Sequence, residues 1–544
     1  MFMRQVRLVW LIPLGVVLAR CLIGSPVIGA EPQPDAGPRL STAARVFVHR
    51  FIFEGNMVFS DQQLSRIVAP YEGREITSEQ LQEARRAVTL HYVNHGYINS
   101  GAVIPDQPVR DGVITIRIIE GKLSEIDVTG NHWLRDHYLQ QWLKAWAGPP
   151  LNANELREGL QLLRQNPNVQ QVNAELQPGA LPGDSHLLVH LLDEQPFRLG
   201  LQVDNARPPS VGAEEILLLA GDRNLTGHSD ALDLSYGVAH NGHDGFVFSE
   251  LDNVGGAYTF PITARDTTLR IFGSKDDFAI IEEPFNPAGI TSESDRYGVN
   301  LRQPLYRTAN RELAVGFTFE RRESQTFSAG TPTTLEPGAV NGKTDITVVR
   351  LVQEWTDRSQ NQVLAMRSTF SFGVDVFGTT VDGTNRSAVF WDWLGQFQYV
   401  RRLFDTPNQL ILRTDVQWTT EPLLSLEQFT LGGASNVRGY RENQLLRDRG
   451  VYSGIELRVP VFANKAGAPV IQLAPFFDFG GGWNAGEGTP EPKTISSAGI
   501  GVLLSPNQHL HAQLYWGHAF RNLNASGTNL QDYGIHFQVG FEAF

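Results

Sequence analysis

The sequence predicts a membrane β-barrel of about 16 antiparallel strands, preceded by two small α+β domains. Three observations carry this: an N-terminal export signal, an internal repeat over 45–195, and two-residue alternation from about Phe197 onward in a 544-residue chain. A chain of this length exceeds a single ordinary core, so several domains are expected.

The export signal comes first. Arg4 and Arg7 precede an apolar run from Leu8 to Ala19, and Ile28-Gly29-Ala30 offers a small-residue cleavage site before Glu31. Residues 1–30 are read as the signal peptide and 31–44 as a short linker. A lipoprotein signal ending at Cys21 would need a small residue before it, and Arg20 stands there. Cys21 is the only cysteine, so a chain cut near Ala30 has none. That excludes disulfide and cysteine-metal frameworks and suits passage through an oxidising periplasm. Removal of Arg4, Arg7 and Arg20 takes the formal charge from −13 to −16. So acidic a chain is a poor general nucleic-acid binder. No later stretch approaches 18 consecutive apolar residues, so a membrane helix is not expected.

The repeat has an offset of 75 residues. Phe51-x-Phe53-x-Gly55-Asn56 matches Ile126-x-Val128-x-Gly130-Asn131, and Gly73, Ile76, Gln80 and Leu81 match Gly148, Leu151, Glu155 and Leu156. Fixed spacing implies repeated structural units. Each copy predicts a short strand ending in a Gly-Asn turn, then a short helix (about 60–69 and 135–146) and a stronger one. Thr77 or Ser78 caps the stronger helix of the first copy, and Leu81, Ala84, Val88 and Tyr92 recur at helical spacing. Asn152 caps its counterpart, where Leu156, Leu160 and Leu163 form the stripe. Two strands close each copy, at about 101–105 and 112–119, then 168–176 and 186–193. The order β-α-α-β-β, twice, gives domains over 45–121 and 122–195.

Residues 196–544 form the barrel segment. Leu199, Leu201 and Val203 alternate with Gly200 and Gln202; Leu232, Leu234 and Tyr236 with Asp233 and Ser235; Leu313, Val315, Phe317 and Phe319 with Ala314, Gly316 and Thr318. Leu510, Ala512, Leu514 and Trp516 alternate with His511, Gln513 and Tyr515. A soluble sandwich would bury the apolar face, and a membrane barrel would turn it to lipid. Length favours the barrel: at about 22 residues per strand and connection, this segment makes roughly 16 strands. Trp391, Trp393, Tyr399, Trp418 and Trp516 suit an aromatic girdle.

Two segments within this region stand out, LGGASNVRGYREN (431–443) and PFFDFGGG (475–482). Successive strand side chains point to opposite faces, so Phe477 and Phe479 share one face and Asp478 takes the other. With the phenylalanines toward lipid, Asp478 faces the lumen. A carboxylate there needs water or a cation, and Arg438 is a candidate. The alternative is an ordinary lumen carboxylate and an arginine on a surface loop.

Together these pieces resemble the outer-membrane transporters of two-partner secretion, which export haemolysins and filamentous haemagglutinins and belong to a superfamily of POTRA-domain barrels. The resemblance covers about 45–544. ITSEQLQEARRAVTLHYVNHGYINSGAVIPDQ (76–107) resembles the first POTRA domain, FRLGLQVDN (197–205) the first barrel strand, and NLTGHSDALDLSYG (224–237) the second strand region. The most specific matches are VRGY (437–440) and FFDFG (476–480). By resemblance, Val437, Arg438, Gly439 and Tyr440 lie at the tip of a hairpin folded into the lumen. Arg438 then pairs with Asp478 of a wall strand marked by Phe476 and Gly480, forming a loop-to-wall latch. The two 45–195 units become periplasmic POTRA domains. The implied partners are one large exoprotein with an N-terminal secretion domain, outer-membrane lipid, periplasmic chaperones and the barrel-assembly machinery, with no nucleic acid. No cofactor is implied.

Two departures accompany the match. EPQPDAGPRL leaves little room for the pore helix that relatives often carry ahead of their first POTRA domain. The terminal Phe544 has the opposite parity to Ile535, Phe537, Val539 and Phe541, so a bulge resets the phase or Phe544 faces inward. The alternative functions are a barrel-assembly insertase of the same superfamily and a passive porin. Enzyme chemistry is not expected. H-E-x-x-H is absent, no Lys-Ser/Thr helix start follows Gly480-Gly481-Gly482, and His240-x-x-His243-Asp244 reads as a solvated turn rather than a metal site. The triple glycine is read as easing strand curvature.

Overall fold

The computed structural model describes residues 39–242, 245–246, 251–381, 386–404, 406–486, 488–523 and 529–543. The signal peptide and linker residues 31–38 lie outside them, as do His243, Asp244 and Phe544, together with the pore-helix and terminal-phase questions.

The first α+β unit builds a three-stranded sheet around Val113–Ile119, which pairs parallel with Arg50–Glu54 and antiparallel with Gly101–Val103. Helices α1 (Asp61–Val68) and α2 (Ser78–Asn94) cover one face. A further two-stranded ladder, Arg45–Val48 with Arg74–Thr77, was not legible in the repeat. The second unit repeats the order with Lys122–Thr129, α3 (Asp136–Ala147), α4 (Ala153–Arg164), Val169–Pro178 and Asp184–Asp193. Ser60 and Thr77 close capping boxes with Gln63 and Gln80, and Asn152 caps α4. Each unit has its own core, one around Leu64, Val88, Tyr92 and Ile116, the other around Leu139, Leu143, Leu163 and Leu191.

The repeated Gly-Asn has a shared physical cause. Gly55 and Gly130 adopt φ of +82° and +89°, and a Cβ there would sit 2.6 Å and 2.8 Å from the Ile118 and Leu191 carbonyl oxygens. Asn56 and Asn131 then donate to the Phe59 and Leu134 carbonyls and to Asp61 and Asp136 at the helix starts. A carboxylate at the end of the last strand gathers the amides that follow the Gly-Asn turn. Glu120 accepts from Met57 N (2.7 Å), Val58 N (2.8 Å) and the Tyr92 hydroxyl (2.9 Å). Asp193 accepts from His132, Trp133 and Leu134 N at 2.6–3.0 Å. Burial first, then the Glu120 hydrogen bond, pushes the Tyr92 hydroxyl well above the usual tyrosine range. Asp193→Ala removes a charged acceptor from three amides and is expected to destabilise this turn by about 2 kcal/mol. Hydrogen exchange of the full-length protein should show faster exchange at 132–134, with the barrel amides unchanged.

From Phe197 the chain forms a closed antiparallel barrel of 16 strands, Phe197–Asp204 through Ile535–Glu542. The last strand closes on the first, with Gln538 opposite Asp204 and Glu542 opposite Gly200. The alternation phases hold. Leu201, Leu234, Phe317, Trp418, Leu514 and Trp516 are exposed on the outer wall, while Gln417, Thr318 and Tyr515 are buried inside. An apolar outer wall and a polar interior are what a bilayer requires of a barrel. No helix among the described residues is long and apolar enough to cross a membrane.

The second unit is fastened to the short turns at one end of the barrel. Asn166 and Asn168 hydrogen-bond Ser229, Asn168 also donates to the Arg223 carbonyl, and Glu158 accepts from Ala309 N. Arg135 N donates to the Gly227 carbonyl. Longer connections gather at the far end, among them 419–448, between the strands Gln409–Trp418 and Arg449–Ala463.

Candidate functional site

Residues 419–448 turn back into the barrel. A short ladder, Phe429–Leu431 with Leu445–Arg447, forms the stalk, and the 437–440 motif is the tip. Phe429, Leu431, Val437, Tyr440 and Leu445 pack with Tyr452 and Ile495 of the inner wall. The loop thus carries its own apolar core into the lumen.

At the tip, Arg438 meets Asp478. Its Nε lies 2.8 Å from Oδ2 and its Nη2 3.0 Å from Oδ1, and its backbone N adds a third bond at 3.2 Å. Nη1 ion-pairs with Glu456 Oε2. The guanidinium lies over Phe476, 3.7 Å from the ring centroid, and 4.7 Å from that of Tyr515. Tyr515 donates to Glu456, and Tyr452 approaches Asp478 Oδ1 at 3.5 Å. Asp478 is 0 % exposed, while Phe477 and Phe479 are 45 % and 38 % exposed on the outer wall. The alternation across this strand therefore runs as the sequence indicates, and Arg438 and Asp478 are brought together. A planar, permanently charged fork suits this bidentate geometry, and stacking on aromatic faces adds to it.

The other motif residues fit the same contact. Gly439 has φ +90°, and a Cβ there would lie 2.8 Å from the Gly517 carbonyl oxygen, so loop and wall touch backbone to backbone. Its N–H donates to His536 Nε2 at 3.3 Å. The Tyr440 hydroxyl donates to the Ser496 carbonyl and accepts from Arg521 N. A Cβ at Gly480 would lie 2.8 Å from Leu431 and Val437 side chains, and one at Gly482 would lie 2.6 Å from Arg447. This corrects the curvature reading of the triple glycine: Gly480 and Gly482 leave room for the loop.

Sequence reasoning missed Glu456, Tyr515, His536 and Gly517. Each lies on the inward phase of its strand, which alternation marks. Their convergence on Arg438 depends on register, with Glu456 opposite Phe476 and Gly499 opposite Gly517. Towards the mouth facing the α+β units, the lumen keeps a cavity of about 730 Å³ lined in part by Arg198, Gln202, Asp233, Arg270 and Arg296. Glu125, Asp127 and His186 are close enough to share a metal ion, but they sit on strands of the second unit, and His186 is paired with Asp127 at 3.0 Å.

Residues 183–504 match the family of haemolysin secretion/activation proteins ShlB/FhaC/HecB, and residues 46–121 match the ShlB-type POTRA domain. The chain belongs to the ShlB/FhaC/HecB family. This secretion protein is 25% identical over 425 residues to the outer membrane transporter CdiB of Dickeya dadantii (strain 3937), covering 76% of this chain and 73% of the relative. It is 23% identical over 494 residues to the hemolysin transporter ShlB of Serratia marcescens, covering 86% and 82%. The solved structure of CdiB from Escherichia coli superposes with a TM-score of 0.69 at 21% identity, over 96% of this chain and 92% of that one. BamA from Haemophilus ducreyi lacking POTRA domains 1-3 shares the fold more distantly, with a TM-score of 0.53 at 12% identity, over 92% and 100%. The family membership places this secretion protein in the outer membrane, its POTRA region in the periplasm, as a transporter of the two-partner type. It favours secretion over the insertase and porin readings.

Proposed function

We propose that this protein exports one large exoprotein from periplasm to cell surface, and that the Arg438–Asp478 pair is the latch that holds the 419–448 loop in the pore between transport events. The observation that carries the latch is the Arg438 fork, closed on two buried carboxylates and stacked on Phe476. An isolated charge in such a site is costly and a paired one much less so, so the loop has a well-defined resting place. The relatives named outer membrane transporter CdiB, heme/hemopexin transporter protein HuxB and hemolysin transporter protein ShlB support an exoprotein as cargo.

The α+β units receive the cargo while it is unfolded. Arg50–Glu54 and Gly101–Val103 are the edge strands of the first sheet, and an edge accepts an extended segment through main-chain bonds without a folded ligand. The lumen above them then passes the chain in extended form, and folding outside supplies direction without nucleotide. Delivery of the barrel itself to the membrane calls on periplasmic chaperones and the assembly machinery.

Deletion of the gene, followed by a survey of outer-membrane and secreted proteins, tests the reading. Loss of one large exoprotein with an intact set of barrels is the expected outcome. Depletion of many barrels would point to an insertase instead. A second test targets the receptor. Deletion of residues 45–121, the first unit with its edge strands, is expected to reduce cargo capture at least about tenfold by removing the site of strand addition. Cross-linking to the secretion domain measures it.

A further inference from the structure

Three residues beyond the latch, a second arginine closes on two more carboxylates. Arg441 Nε and Nη2 bond both oxygens of Asp532, at 2.5 Å and 2.9 Å, and Nη1 and Nη2 bond both oxygens of Glu282, at 2.9 Å and 2.8 Å. Its side chain is 15 % exposed. Neither carboxylate belongs to the wall that holds Arg438. Glu282 comes from the far-end connection between Thr268–Ala279 and Ile290–Arg307, and Asp532 from the connection before the last strand.

The Asp532 segment is tied in turn to the place where the barrel closes. Gln531 accepts from Glu442 N and donates to the Asn205 and Arg207 carbonyls, just after the first strand. Asn205 is fully buried, and its side chain extends the first strand's pairing by bonding the Ile535 carbonyl and Phe537 N. Ile281, next to Glu282, donates to the Ser210 carbonyl. Arg441 therefore touches two separate far-end connections, and each of these is bonded in turn to a third, the segment after the first strand.

We infer that Arg441, with Glu282 and Asp532, is a second hold on the lumen loop, separate from the Arg438–Asp478 pair, and that it positions the loop against the connection between the fifth and sixth barrel strands and the connection before the last strand. Planar, bidentate recognition of two carboxylates is a task lysine cannot repeat. The two forks grip opposite flanks of the Gly439-Tyr440 tip, so the loop leaves the pore only when both open. Arg441 is a positioning residue: it touches no cargo in this arrangement and acts through the loop.

The inference rests on the loop-movement reading above, and one experiment separates the two. Residues 31–544 contain no cysteine, so Leu445→Cys introduces a single thiol, buried in the loop core at 6 % exposure. Its rate of maleimide modification in the mature protein, residues 31–544, in proteoliposomes reports loop release. Arg441→Ala is expected to raise that rate about tenfold, a discounted value for a partly exposed charge pair. The side-chain-sized Glu282→Gln/Asp532→Asn double variant should do the same, and Arg441→Glu/Asp532→Arg should return part of the way to the parent rate. Heat-modifiability on gels verifies that each barrel is folded. A parental rate in both Arg441→Ala and the double amide variant, with acceleration in Arg438→Ala, overturns the second hold and leaves the latch standing. A parental rate in Arg438→Ala as well overturns loop movement and this inference with it.

Discussion

Arg438→Ala is expected to reduce exoprotein export by at least about tenfold at equal barrel abundance. The substitution removes the bidentate bond to Asp478, the ion pair to Glu456 and the stacking on Phe476 together. It also strands two carboxylates in a site where Asp478 has no exposed surface. Breaking a buried pair from one side costs about 3–5 kcal/mol, and even half of that moves a two-state loop equilibrium more than tenfold. Asp478→Asn keeps the shape and removes the charge, so it should fall between parent and Arg438→Ala. The double variant should cost less than the sum of the two singles, because the pair acts as a unit. Arg438→Lys retains a charge without the fork and should recover only part of the export. Secretion of the exoprotein, normalised to folded barrel in the outer membrane, reads all four. Parental export from Arg438→Ala would remove the latch from the mechanism.

What made this site legible was phase. Two-residue alternation assigns a face to every barrel residue, so Phe477, Asp478 and Phe479 sort themselves without a partner in view. The repeat units were legible for a related reason. Gly55 and Gly130 need a left-handed backbone, and Asn56 and Asn131 need to reach a helix start, so the same residues recur. Register was not legible. Glu456 stands on the inward phase of its strand, but nothing local says that it faces Phe476 or that Tyr515 comes beside it. Contacts between far-end loops were less legible still. Arg441 meets Glu282 across 159 residues and Asp532 across 91, and only barrel closure brings them together. The triple glycine shows the same limit from another side. Its lack of side chains was visible, but the loop that fills the space was not.

Asp448→Ala is expected to open the far mouth of the barrel, with an effect as large as any in the loop. Asp448 is fully buried where the loop rejoins the wall. Its Oδ1 accepts from Arg386 Nη1 at 3.0 Å, Leu423 N at 3.1 Å and Gln428 Nε2 at 2.7 Å, and its Oδ2 from Ala485 N at 2.8 Å. One carboxylate thus joins three separate connections: the segment before Phe390–Arg402, the descending arm of the lumen loop, and the turn after Pro469–Trp483. Beside it, Leu423 and Leu424 of that arm pack with Ile346, Val348, Ala388 and Phe390 in an apolar cluster. A hydrogen bond to a buried charge is worth about 1.5–3 kcal/mol, and the four are not additive. A net loss of about 3–5 kcal/mol is therefore expected. Asp448→Asn keeps one acceptor oxygen but turns an NH₂ group toward a donor, so it should lose roughly half as much. Single-channel recording on purified protein should show open time rising on the order of a hundredfold in Asp448→Ala. Arg438 lies on the wall side of the loop and Asp448 at its base, and they share no partner, so the two effects should add in the double variant. Less-than-additive opening would mean that base and tip release in one step, making the loop a single rigid plug rather than a tip held by its own latch.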